Sequence, residues 1–175
     1  MLKLIAVMPI LSGLGALMLQ DQKPPDLKNY RKWQKVNVAP VRMADRIAAM
    51  CSAPQPAIID SPHGPRFINV YVNRSGQRAM MDHNAKSYPE GAIIVKEKLS
   101  KIDSKKPELM TVMVKRPKGY APSEGDWQFL VTDADGKVTA SGDDTKHCGT
   151  CHRAQIDQGF VFRTYLGMAT LKRSR

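Results

Sequence analysis

The strongest constraint on the fold is a succession of short strand-like segments that are separated by turn signals rather than by long helices. Segments rich in β-branched and aromatic residues lie at 66–73, 92–99, 109–115 and 127–132. An Asp135-Gly136 turn leads into a further strand at 137–139. Strands joined by turns pair antiparallel, whereas parallel strands need a long crossover between them. The sequence therefore predicts a mainly β (α+β) fold, built on an antiparallel sheet or open barrel.

Short helices are expected beside this sheet. The segment 41–50 has a helix-like mixture of apolar and charged residues, and residues 75–81 can form another short helix with Ser75 as its N-cap. Prolines at positions 54, 56, 62 and 65 mark the stretch between them as a loop. We therefore expect both helices to flank the sheet.

The pentapeptide Cys148-Gly149-Thr150-Cys151-His152 carries the clearest chemical signal. Cys-x-x-Cys-His is an attachment signature of c-type haem, in which two thiols bond the haem and the adjacent imidazole is placed to ligate iron. A zinc site would need a second pair of soft ligands, and a thioredoxin-like pair would lie early in a βαβ unit. The motif therefore predicts a C-terminal haem-binding segment with one haem c, held by Cys148, Cys151 and His152.

The third cysteine and the histidine before the motif are given other roles. Cys51 is interpreted as a small buried side chain, with an intermolecular disulfide or a reactive thiol as alternatives. His147 directly precedes Cys148 and is interpreted as a solvated neighbour rather than a ligand.

The late position of the motif bears on the iron. Electron-transfer cytochromes of the small helical kind place the motif early and a methionine ligand well downstream. Here only 23 residues follow His152, and Met168 is the candidate sixth ligand among them. If Met168 does not ligate, the iron is five-coordinate and open to a small molecule. The late position of the motif therefore disfavours a simple electron carrier relative to a protein that binds or converts a small molecule at the iron.

The N-terminus predicts export. Residues 1–20 combine a lysine at position 3 with an apolar run, which is typical of a signal peptide, and an uncleaved anchor is the alternative. Residues 21–175 are then expected to form a single domain in the periplasm. The chain has 27 Lys and Arg against 16 Asp and Glu, a formal charge of +11. No nucleic-acid motif accompanies this charge, so we expect solvated lysines or, alternatively, docking of an acidic redox protein.

A set of short stretches, which follow one another in a fixed order along the chain, carries a resemblance to a known family. The most specific is the Tyr-Pro-Glu-Gly turn at 88–91 that leads into Val-Lys-Glu at 95–97, well before the late Cys-x-x-Cys-His. The other stretches lie at 70–73, 125–129 and 157–162. With these segments the sequence resembles the cytochrome P-460 family, whose relatives include cytochrome c′-β.

The resemblance implies a mainly β periplasmic protein, a homodimer with one c-type haem and an open distal face. In the members that oxidise hydroxylamine a lysine is bonded to the haem ring, and Lys96 falls at that position. The cytochrome c′-β branch lacks this bond and binds nitric oxide or carbon monoxide. The resemblance thus implies oxidation of hydroxylamine, alone or with nitric oxide, and leaves gas binding as the alternative. Electrons would leave to a redox partner protein.

Strand alternation leaves the direction of Lys96 open. Ile94, Lys96 and Lys98 share one face of the predicted strand, and Glu97 lies on the other as a salt-bridge partner or a buried carboxylate. Hydroxylamine oxidation also needs a proton acceptor beside the reacting ligand. The candidate proton acceptors are Asp133, Asp135, Asp143 and Asp144. Arg66 and Ile68 share a strand face and could lie over the haem, and Phe67 and Phe129 are candidate apolar caps.

Overall fold

The structure is a computed structural model that describes residues 23–43, 66–163 and 166. The segment 1–20, Cys51, the proline-rich loop and Met168 lie outside these residues, so what the sequence predicts for them remains a prediction. Within the described part of the chain, every helix is too short or too polar to cross a membrane.

Seven strands of the described residues form one open antiparallel sheet, which confirms the predicted fold class. The strands are β1 (Gln34–Lys35), β2 (Val41–Met43), β3 (Arg66–Val72), β4 (Ile93–Leu99), β5 (Leu109–Lys115), β6 (Trp127–Thr132) and β7 (Val138–Ser141). Their order is β1-β3-β4-β5-β6-β7, and β2 also pairs with β3. The predicted hairpin turn before β7 is confirmed, since the amide of Gly136 donates to the Asp133 carbonyl at 3.2 Å.

Two α-helices flank the sheet, α1 (Arg74–Met81) and α2 (Lys146–His152). Helix α1 confirms the predicted helix, but Ser75 is not its N-cap. The cap is Asn73, whose side-chain oxygen accepts from the Gly76 amide at 3.1 Å. Single-turn 3-10 helices lie at Tyr30–Lys32, Pro122–Glu124 and Gly142–Thr145, and a longer one at Arg153–Gln158 follows α2 directly.

The helix predicted at 41–50 is wrong for its first three residues. Val41, Arg42 and Met43 form β2, which pairs antiparallel with the first half of β3. The ladder to an existing strand overrides the weak helix propensity of this stretch. Residues 44–50 lie outside the described residues.

The sheet has two faces with separate apolar clusters. The inner face carries Ile68, Val70, Val72, Ile94, Met113 and Phe129, and it packs against α1, Phe160 and Cys148. The outer face carries Tyr71, Val95, Met110, Val112 and Leu130, and it packs against Leu27, Tyr30 and Trp33 of the N-terminal segment. Successive residues of each strand alternate between these faces. Each of the strands β3, β4, β5 and β6 therefore contributes to both clusters.

Candidate haem site

Helix α2 places the attachment motif along the inner face. Cys148, Cys151 and His152 are three and four residues apart, a spacing that puts them on one side of a helix. Neither thiol forms a disulfide, both are partly exposed, and Cys148 packs against the inner cluster. The two thiols and the imidazole predicted from the sequence are therefore brought together.

His152 is held in the form and orientation that a metal requires. Its Nδ1 lies 2.7 Å from the Phe160 carbonyl oxygen, which can only accept, so Nδ1 carries the proton and Nε2 remains for a metal. Burial lowers the pKa of His152 to about 4, and the charge of Lys96 lowers it further, against the effect of this hydrogen bond. The imidazole is therefore neutral at neutral pH, as metal ligation demands.

Aromatic rings enclose the imidazole. The ring centroids of Phe129 and Phe162 each lie 5.1 Å from that of His152. Phe129 therefore contacts the imidazole itself rather than capping the side of the iron opposite to it. Phe67 follows the strand alternation onto the outer face, away from His152. Neither phenylalanine is thus the distal cap that the sequence suggested.

A strained turn after α2 supplies the carbonyl that orients His152. Gly159 and Phe160 both have left-handed backbone angles, with φ of 66° and 67°. This conformation is uncommon for an aromatic residue and costs on the order of 1–3 kcal/mol. The turn is held by the Trp127 indole, which donates to the Gly159 carbonyl at 2.9 Å, and by burial of the Phe160 ring.

A contact that sequence reasoning missed lies under the motif. A Cβ atom on Gly149 would stand 2.3 Å from the Glu124 carboxyl carbon, so the helix backbone and Glu124 are closely packed. Gly149 occupies a variable position of the motif, and nothing in the sequence pattern links it to Glu124. A larger residue at this position would require the Glu124 carboxylate to move, a packing effect that is separate from haem attachment.

Lys96 lies on the inner face. It stands between Val70 of β3 and Thr111 of β5 in the sheet ladder, and its neighbour Ile94 belongs to the inner cluster. Its ammonium is close enough to His152 to contribute to the lowered pKa of the imidazole. The direction that alternation left open is therefore settled in favour of the face that carries His152.

The outer-face neighbour Glu97 is both a buried carboxylate and a salt-bridge partner. Its Oε1 lies 2.8 Å from the Arg31 guanidinium, and its side chain is 2% exposed. Both alternatives suggested by the sequence thus hold, but the ion pair is with the N-terminal segment.

Three of the four candidate aspartates are engaged in local contacts. Asp133 accepts from the amides of Asp135 and Lys137 at 2.9 Å and so stabilises the hairpin turn. Asp135 pairs with Lys106 at 3.0 Å and Asp143 with Lys146 at 2.9 Å, in exposed ion pairs. Asp144 is exposed on the 3-10 helix before α2. These positions single out none of them as the proton acceptor.

The residues of the inner face fit a c-type haem. Two neighbouring thiols outside any disulfide and one neutral imidazole match the donor set, and aromatic rings beside them match an apolar macrocycle. By strand alternation Arg66 and Lys98 share this face with Lys96 and Ile68. Arg66 is also paired with Glu108 at 2.8 Å. Within the described residues no group of three His, Cys, Asp or Glu side chains forms a separate metal site.

Comparison with known proteins agrees with this fit. The family model described as Cytochrome P460 matches residues 27–163, which include Lys96 and the whole motif. A comparison with curated proteins found no match.

Proposed function

This chain belongs to the cytochrome P460 family, and from that premise we propose that it is an exported haem enzyme that oxidises hydroxylamine. In this proposal one haem c is attached at Cys148 and Cys151, with His152 as the axial ligand of its iron. The observation that carries the proposal is the placement of Lys96 on the same sheet face as His152.

Each residue has a defined task in this function. The haem would supply a redox-active iron with one open position for hydroxylamine. The thiols of Cys148 and Cys151 hold the cofactor covalently, and the neutral His152 imidazole offers Nε2 while Phe160 fixes the ring. The Lys96 amine is the group that bonds the macrocycle and alters its reactivity. Phe129 and Phe162 shield the imidazole from water.

Oxidation of hydroxylamine releases protons and electrons together. We propose that the electrons pass to a separate redox protein, which the basic charge of the chain would attract if that partner is acidic. The rate of electron transfer to such a partner should then fall steeply as ionic strength rises. A homodimer in the periplasm completes the proposal, and sedimentation of the holoprotein measures the oligomeric state.

A second function is favoured by the apolar character of the inner face. Ile68, Val70 and Ile94 are all buried there, and apolar surroundings suit a neutral diatomic gas better than hydroxylamine. In this alternative the protein binds nitric oxide or carbon monoxide as cytochrome c′-β does, and Lys96 stays unmodified.

Substitution of Lys96 separates the two functions. The holoprotein should oxidise hydroxylamine, and its ferrous Soret band should be strongly red-shifted from that of an ordinary c-type haem. Lys96→Arg should abolish both properties, whereas Lys98→Arg, two residues along the same strand face, should preserve them. An ordinary c-type spectrum in the wild type, unchanged by Lys96→Arg, would rule out the enzyme and leave the gas-binding protein.

A further inference from the structure

A buried polar cluster lies directly behind Lys96, on the outer face of the sheet. The Oε1 atom of Glu97 accepts from the Tyr30 hydroxyl at 2.5 Å and from Arg31 Nε at 2.8 Å. Its Oε2 atom accepts from Asn69 Nδ2 at 3.0 Å. We call these four residues the Glu97 cluster.

Burial of the Glu97 carboxylate carries a cost in free energy. Taking a carboxylate out of water costs several kcal/mol unless charge and hydrogen bonds compensate for it, and an apolar replacement is often as stable. On β5 the ladder partner of Glu97 is Met110, an apolar residue of the outer cluster. Stability alone therefore does not explain a carboxylate at this point, and a role in fixing the structure does.

The cluster joins three parts of the chain at β4. Asn69 is the ladder partner of Glu97 on β3, so their side-chain bond reinforces that one pairing. Tyr30 and Arg31 belong to the N-terminal segment, where Tyr30 packs edge-on against Tyr71 with ring centroids 5.4 Å apart. Arg31 also donates to the Lys105 carbonyl at 3.0 Å, beyond the end of β4.

The register of β4 determines which face Lys96 occupies. A slip of one residue would send every side chain of the strand to the opposite face, so Lys96 would point away from His152. The same slip would place the Glu97 carboxylate in the inner cluster and break its contacts with Tyr30, Arg31 and Asn69. The cluster therefore penalises the register that would misplace Lys96.

We propose that Glu97 is a positioning residue for Lys96: by binding Tyr30, Arg31 and Asn69 on the outer face, it holds the lysine amine against the haem. This inference rests on the proposed function, in which Lys96 bonds the haem. It also assigns a task to the N-terminal segment, which fastens the strand that carries the reacting lysine.

The test measures the fraction of Lys96 bonded to haem, by mass analysis of digested holoprotein. Glu97→Gln keeps the shape but removes the charge, and it should cause a marked loss of that fraction, because an uncharged amide cannot form the ion pair with Arg31. Tyr30→Phe removes one donor only, keeps the fold and should cause a smaller loss. Glu108→Gln is the matched control, since it breaks the ion pair with Arg66 elsewhere in the sheet and should leave the fraction unchanged.

A second readout makes the positioning claim independent of the bond. In the holoprotein molecules whose Lys96 is not bonded to haem, an amine-acetylating reagent should label Lys96 and Lys98 in a fixed ratio, and Glu97→Gln should change that ratio while Glu108→Gln should not. If the wild type has no bond to Lys96, the proposed function fails and the labelling ratio alone decides on positioning. An unchanged fraction or ratio in Glu97→Gln, or an equal change in Glu108→Gln, would overturn the inference.

Discussion

The two faces of the central sheet are completed by different kinds of partner. The outer face is closed by the chain itself, because Leu27, Tyr30 and Trp33 cover its apolar cluster and Arg31 neutralises Glu97. The inner face is closed by α1 and Phe160 at one end. The inner face also lies against α2, whose thiols and imidazole fit a haem.

This difference shows how one strand serves both structure and chemistry. Lys96 and Glu97 are adjacent in β4, but Lys96 shares a face with His152, whereas the Glu97 carboxylate accepts from Tyr30, Arg31 and Asn69. The outer face should therefore contribute to the stability of the chain alone, whereas the inner face should contribute to both stability and cofactor chemistry. The predictions below test this division, beginning with the largest effect.

Removal of both thiols should abolish haem attachment on the inner face and leave the packing of the outer face unchanged. We expect the Cys148→Ser, Cys151→Ser double variant to lose covalent haem completely, because both vinyl attachments need a thiol. Acid–acetone extraction followed by absorption measurement of the protein fraction reports covalent haem. The hydrogen-exchange protection of β4 and β5 should remain, since the outer cluster does not involve α2. Covalent haem in this variant would contradict the assigned attachment site.

High pH should destabilise the protein through tyrosines on both faces. Burial raises the pKa of Tyr88, on the inner side, to about 12, and burial together with Glu97 raises the pKa of Tyr30 on the outer side. An unfolded tyrosine ionises near pH 10, so between about pH 10 and 12 the unfolded state loses protons first and the free energy of unfolding falls.

For Tyr88 the loss should reach about 2–3 kcal/mol above pH 12, the equivalent of a two-unit shift. Urea unfolding across this pH range measures it. Tyr88→Phe and Tyr30→Phe should each flatten the slope, and the double variant should flatten it most. A slope that neither substitution alters would show that other groups cause the alkaline loss.

Loss of the hydrogen bond from the Trp127 indole to the turn at Gly159 and Phe160 should have a smaller effect. Trp127→Phe keeps most of the apolar contact with Tyr88, whose ring centroid is 5.3 Å away, but leaves the buried Gly159 carbonyl without its donor. We expect a loss of about 1–2 kcal/mol in the free energy of unfolding, measured by urea titration. The absorption spectrum should also change as the Phe160 carbonyl shifts relative to His152. A stable variant with an unchanged spectrum would show that the turn does not depend on this bond.

Local patterns were sufficient to predict most of the sheet. Alternation and turn residues located β3 to β6 to within a residue at their ends, because each strand is long and its two faces are both buried. β7 was displaced, running from Val138 to Ser141 rather than over 137–139. The two-residue β1 was missed entirely, since its polar residues Gln34 and Lys35 carry no strand signal.

The site was predictable where its chemistry is local in sequence. Cys148, Cys151 and His152 form a contiguous motif, but the packing of Glu124 on Gly149 and the bond from Trp127 to Gly159 join distant positions. Periodicity divides a strand into two faces without saying which is inner. For that reason Phe67 and Phe129 were equal candidates, and the direction of Lys96 depended on the fold.

The most direct test of the account is the mass of the Lys96 peptide from digested holoprotein. The proposed function predicts that this peptide is recovered joined to haem and to the Cys148–Cys151 peptide as one species, which Lys96→Arg converts to the peptide pair of an ordinary haem c. Recovery of the Lys96 peptide free and unmodified from the wild type, with haem only on the cysteines, would contradict it.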